Sequence, residues 1–169
     1  EMQLNHTRLG YNYRLNEMSA ALGLAQMQRI EELLAKRAQV ATWYNEQIDQ
    51  IDGIQKPYIA ETTTFMSWSV YVIRCEEDVD RDQLMRYLEK QGVPSQPYFA
   101  PIHLQPFYQQ QFGWKRGDLP LTEQAGDTFL ALPFSSIMTQ EQVAHVCAQL
   151  RAGIEVAQPS RFVNTGSAD

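Results

Sequence analysis

The stretch from Asn16 to Asp52 constrains the fold more than any other part of the chain. Asn16 is a suitable N-cap, and the Ala- and Leu-rich segment from Glu17 onward has high helix propensity. Apolar residues then recur at Ile30, Leu33, Leu34, Val40, Ala41, Tyr44, Ile48 and Ile51, with Glu31, Glu32, Lys36 and Arg37 on the opposite face. This spacing predicts helix to about Asp52, closed by Gly53. A straight helix of that length would span roughly 50 Å, longer than most domain helices. A kink, or a bridge between two bodies, is therefore expected, with Gly23 as the weak point.

The remainder reads as a small mixed domain. Ser67 to Arg74 predicts a strand, with Val70, Val72 and Arg74 on one face and Tyr71 and Ile73 on the other. Asp80 followed by Gln83 resembles a capping box for a helix carrying Leu84, Met85 and Leu88, and Gly92 suits its C′ position. Val93-Pro94 resumes extended chain, so strand, helix and strand form a split-βαβ signature. Pro97 to Trp114 reads as loop. A short helix around Thr122 to Thr128 and an apolar run from Phe129 to Leu132 follow. The last helix is capped by Thr139 and Gln142 and carries the stripe Val143, Val146, Cys147, Leu150 and Ile154. The expected class is α+β: a long N-terminal helix, then a small domain with a mainly antiparallel sheet and flanking helices. The expected divisions are 1–53, 54–156 and a disordered tail over 157–169.

Composition excludes several roles. The 169 residues carry a formal net charge of −6, the wrong sign for a phosphate-binding nucleic-acid surface. Cys75 and Cys147 lie in apolar stretches outside any C-x-x-C pattern, which points to free thiols and a reducing compartment. His6, His103 and His145 lack metal-ligand spacing. No apolar run is long enough for a membrane span, so a soluble cytoplasmic protein is expected. A chain opening on Glu1-Met2 rather than an initiator Met fits a piece of something longer.

Two segments could carry chemistry. Gly10-Tyr11-Asn12-Tyr13-Arg14 joins a turn glycine, amide donors and a guanidinium fork to a helix N-terminus, which suits a phosphate. The alternative is a lead-in loop whose aromatics pack on the helix. Gln96 to Tyr108 combines backbone-restricting prolines, flat aromatic surfaces and His103, which suits one wall of a ligand pocket. The alternative is a Pro-pinned loop covering the sheet, with His103 satisfied locally. Lys36, Lys56, Lys90 and Lys115 all fall in solvated settings, and none suits covalent amine chemistry. The acidic run from Glu76 to Asp82 joins a strand to a helix as a solvated, capping turn.

Gly10-Tyr11-Asn12-Tyr13-Arg14-Leu15-Asn16 with Ala20-Ala21-Leu22-Gly23-Leu24-Ala25-Gln26 resembles the DegT/DnrJ/StrS family of sugar aminotransferases. Ser67-Trp68-Ser69-Val70-Tyr71, Gly92-Val93, Pro101-Ile102-His103-Leu104-Gln105-Pro106 and Leu132-Pro133 are similar to the family's C-terminal part, in family order from about residue 9 to 154. The resemblance implies a fold-type-I aminotransferase using pyridoxal 5′-phosphate (PLP), a homodimer with active sites at the subunit interface. Such enzymes move an amino group, commonly from glutamate, to a nucleotide-linked keto sugar for surface polysaccharides or natural products. By position, Asn12 and Arg14 match cofactor-binding residues, and Tyr98 and His103 match the loop lining the sugar-nucleotide pocket. The resemblance places the Schiff-base lysine upstream of the Gly-Tyr-Asn segment, and no lysine here matches it. This chain alone would be catalytically incompetent. The rival readings are a free-standing sugar-nucleotide-binding or dimerisation module, and a subunit that completes another chain's site.

Overall fold

The computed structural model describes residue 11 and residues 13–158. Asn12, Gly10 and the tail from Pro159 lie outside the described residues. The chain forms two compact units that divide between Leu33 and Leu34.

In the first unit, α1 (Glu17–Met27) starts on Asn16, whose side chain accepts the Ser19 N–H at 2.9 Å. Met18, Leu22, Leu24 and Met27 of α1 are exposed, and the helix buries no residue. The expected long helix is interrupted, but not at Gly23. The Arg29 N–H bonds to Gln26 O, a three-residue step that breaks the four-residue ladder before α2 (Ile30–Ile48) begins. Gly23 lies inside α1, because a single helical glycine lowers stability without ending a helix.

The second unit holds the core. Val40, Ala41, Tyr44 and Ile48 of α2 are buried. The four-stranded sheet comprises β1 (Ile54–Gln55), β2 (Tyr71–Cys75), β3 (Gln96–Pro97) and β4 (Phe129–Leu132), ordered β1-β2-β4-β3. Both β2 and β3 run antiparallel to β4, so they are parallel to each other with β4 inserted between them. With α3 (Arg81–Lys90) connecting them, this is the split βαβ unit predicted from the sequence. Strand β2 begins later than the expected Ser67. Trp68 adopts a positive φ of 49°, and its buried ring stacks on Tyr71 at 5.8 Å. Pairing begins only at Tyr71.

Register explains the core. Tyr71 faces Leu132 and Ile73 faces Leu130, so these four side chains share one side of the sheet, and all are buried. Leu84 and Leu88 of α3 and the predicted stripe of α6 (Gln140–Ala157) join them. Each such side chain contributes about 1.5–3 kcal/mol on full burial. Tyr44 stacks on Tyr71 at 4.6 Å, and both hydroxyls are satisfied, by Pro133 O at 2.7 Å and Asn45 Oδ1 at 2.6 Å. Burial pushes both phenols above their ordinary range. Cys75 and Cys147 are buried free thiols, each pushed up to about 12 by desolvation. Asp80 caps α3 by accepting the Gln83 N–H, while the Gln83 side chain donates to Val156 O instead of closing the box. At α6 the box is complete, since Thr139 Oγ1 accepts from Gln142 N and Gln142 Oε1 accepts from Thr139 N. Gly92 has the positive φ of 75° expected at a helix C′ position. Among the described residues no helix is long and apolar enough to cross a membrane.

Candidate functional site

Beyond β3 the chain builds a segment of the second unit that returns to β4 through short helices. Tyr98 continues from the sheet edge, its N–H directed at Phe129 O at 3.4 Å. Its half-buried ring stacks on the exposed ring of Phe99 at 4.0 Å. A 3₁₀ turn follows at Ile102–Leu104. The structure then departs from the predicted loop, because Pro106–Phe112 forms a helix, α4. Pro106 fits the first helical position, where its missing N–H has no partner to lose, and Gly113 ends the helix at φ 75°. A turn places the Lys115 N–H on Asp118 Oδ2, and α5 (Pro120–Thr128) returns the chain to β4.

What anchors this segment is α5. Gly126 faces Pro101 so closely that a Cβ there would lie 2.7 Å from Pro101 Cδ and 3.1 Å from Phe99 O. One turn earlier on the same face, Glu123 is buried and meets the buried His103, with Oε1 3.0 Å from His103 Nε2. The Gly117 N–H reaches both carboxylate oxygens at 2.8 and 2.9 Å, and the Leu119 N–H reaches Oε1 at 3.3 Å. The hydrogen bond to His103 and those from Gly117 and Leu119 hold the Glu123 carboxyl below the usual carboxylate range, against the opposing effect of burial. The Trp114 ring meets His103 edge-on at 6.3 Å. Outside this buried pair, Arg116 forms a two-pronged ion pair with Asp127 at 2.9 and 3.0 Å, which is exposed and contributes little.

The same segment carries flat apolar surfaces. Phe99, Phe107 and Phe112 are more than 60% exposed, and Tyr108 and Trp114 are about 40% exposed, too many rings for an ordinary solvated loop. The segment thus joins exposed stacking surfaces, with Trp114 in contact with His103, to a buried imidazole–carboxylate pair. That combination can hold a ring-bearing ligand and orient its polar groups. The segment contributes no buried lysine, and Lys36, Lys56, Lys90 and Lys115 are all exposed. Among the described residues no cluster of His, Cys, Asp or Glu could hold a metal ion.

The sequence-derived site residues therefore fall in separate places. Tyr98 and His103 share the anchored segment of the second unit, Tyr98 half-buried and His103 buried. Arg14 belongs to the first unit and is exposed, and Asn12 lies outside the described residues. Glu123 was not singled out by the sequence. Its one signal is the spacing to Gly126, three residues on, which puts a carboxylate on the face where α5 packs closely.

The DegT/DnrJ/EryC1/StrS aminotransferase family matches the chain over residues 1–151. GDP-perosamine synthase of Caulobacter vibrioides is 34% identical over 145 residues, which cover 84% of this chain and 38% of that protein. The crystal structure of S. venezuelae DesV in complex with a ketimine intermediate superposes with a TM-score of 0.78 at 27% identity, covering 92% of this chain and 41% of DesV. Spr1654 of Streptococcus pneumoniae in its PLP form shares the fold, with a TM-score of 0.79 at 20% identity over 93% of this chain and 40% of Spr1654. The chain thus spans well under half the length of the curated relatives it matches. The motifs, the split βαβ sheet and the match over nearly the whole chain agree, and the chain belongs to the DegT/DnrJ/EryC1/StrS aminotransferase family.

Proposed function

We propose that this chain is the C-terminal part of a PLP-dependent aminotransferase acting on a nucleotide-linked keto sugar, with glutamate as amino donor, in surface-polysaccharide or natural-product biosynthesis. The observation that carries the reading is the family match over residues 1–151, joined by the aromatic segment of the second unit. In this reading residues 1–53 end the large domain and connect it to the small α+β domain of 54–156. The working protein is a cytoplasmic homodimer.

The described part of the cofactor segment fits a phosphate group. Arg14 is exposed two residues ahead of the Asn16 cap, so its planar donor fork is open to an anion near a helix N-terminus. Asn12 and Arg14 would hold the cofactor phosphate from this chain. Bound PLP would supply the electron sink for amino transfer. The Schiff-base lysine must come from polypeptide outside these 169 residues, since the four lysines here are solvated. Tyr98 and His103 would line the sugar-nucleotide pocket. The aromatic faces stack on flat rings and exclude water, and the anchored imidazole orients a polar group.

The test is on the native protein from its source cells. Its intact mass, its visible cofactor absorbance and amino transfer from glutamate to a nucleotide-linked keto sugar should together identify a larger PLP enzyme. Asn12→Ala in that protein should weaken cofactor retention. A native mass equal to this chain, with nucleotide-sugar binding in the absence of PLP, would replace the proposal by a non-catalytic binding module.

A further inference from the structure

His103 has two ring nitrogens, and its surroundings decide what each can do. Nε2 lies 3.0 Å from Glu123 Oε1, and the same carboxylate accepts the backbone N–H groups of Gly117 and Leu119. A backbone N–H can only donate, so Glu123 is an acceptor toward these groups, and an ionised carboxylate accepts only. The contact with His103 therefore requires a proton on Nε2. In the neutral ring the other nitrogen, Nδ1, is then a lone-pair acceptor. Nδ1 makes no hydrogen bond to a described residue.

We propose that Glu123 is the positioning residue of this segment: it locks His103 in its Nε2–H tautomer and so presents Nδ1 as an acceptor to a sugar hydroxyl. The inference rests on the reading of this loop as a sugar-nucleotide wall, and it narrows that reading. A lone pair selects a hydroxyl or another donor and turns away a phosphate oxygen, which is itself an acceptor. As long as the ring is neutral in this tautomer, His103 suits the sugar part of the substrate and not its diphosphate. Glu123 acts through His103, and three restraints make the lock rigid. Gly117 and Leu119 fix the carboxylate from the turn side, Pro101 packs against Gly126, and Trp114 meets the imidazole edge-on.

The tautomer can be read directly. Two-bond proton–nitrogen spectra of the native protein labelled with ¹⁵N-histidine, with His103 assigned by loss of its signals in His103→Gln, should show a pure Nε2–H ring with a slowly exchanging Nε2 proton. The exposed His145 should show no such proton. In Glu123→Gln the protected proton should be lost while the far-ultraviolet circular dichroism is unchanged. Glu123→Asp, which keeps the charge on a shorter arm, should restore part of it. An Nδ1–H tautomer or a doubly protonated ring in the wild-type protein, or a protected proton that survives Glu123→Gln, would overturn the assignment, and the wild-type spectrum decides even if both variants unfold. GDP-mannose should shift the Nδ1 signal and GDP alone should not. A locked tautomer that ignores both would leave the Glu123 assignment standing and tell against the loop as a sugar wall.

Discussion

Two helices of this chain begin alike and end differently. In α1 the Asn16 side chain caps the first turn, and in α6 Thr139 and Gln142 cap each other. Both helices are rich in apolar residues, yet α1 buries none and α6 buries seven. The difference is not one of propensity. In α6 the apolar positions repeat three and four apart, so one stripe meets Leu84, Leu88 and the inner face of the sheet. In α1 Met18, Leu22, Leu24 and Met27 stay exposed among the described residues, so its helical form rests on local terms alone. Local signals start a helix, and a packed face is what makes it stable.

The largest expected effect follows from that contrast. Leu150→Ala removes a fully buried side chain from the α6 stripe and should lower unfolding stability by about 2–5 kcal/mol. Leu22→Ala should change it by less than about 0.5 kcal/mol, as for other exposed positions. Urea titration followed by far-ultraviolet circular dichroism separates the two, and equal losses would break the comparison.

A smaller effect concerns the caps. Thr139→Ala should destabilise the second unit by about 1 kcal/mol, because it opens a complete capping box on a packed helix. Asn16→Ala should leave the cooperative transition in place and reduce helical signal at the N-terminal end, seen as faster amide exchange from Ser19 onward. A shift of the main transition by Asn16→Ala would show that α1 is coupled to the core after all.

Acid sharpens the comparison last. The folded pKa of Glu123 lies below its unfolded value of about 4.3. Its contribution is therefore complete above that value and is lost as pH falls through it toward the lower folded pKa. The urea midpoint of the wild-type chain should drop between about pH 5 and pH 3 more than that of Glu123→Gln. The variant should keep some acid sensitivity, since Asp127 and Glu141 are also held below their ordinary range. Parallel profiles for the two proteins would remove Glu123 as the anchor.

Much of the second unit was legible in the sequence because its signals are local. Asp80 and Thr139 name their helix starts, Gly92 names a helix end, and the α6 stripe names its buried face. The order strand, helix, strand was enough to anticipate the split βαβ unit, and the family motifs pointed to the right family. Other features were not readable. Helix α4 hid in a segment dense with prolines, because Pro106 reads as a breaker until it is known to sit at a first helical position. The break at Gln28 and Arg29 involves no glycine or proline, so nothing marked it. Asn12 lies outside the described residues, and its cofactor role stands on resemblance alone.

The sequence by itself determined where helices and strands start, which faces are apolar and which family the motifs fit, since periodicity and capping act within a few residues. Only the tertiary structure decided that His103 is buried, that Glu123 twenty residues later receives it, and that Gly126 makes room for Pro101. Those contacts join segments distant along the chain, and their partners are set by how α5 folds back on the loop. No spacing rule records that placement, because it is a property of packing and not of the local chain.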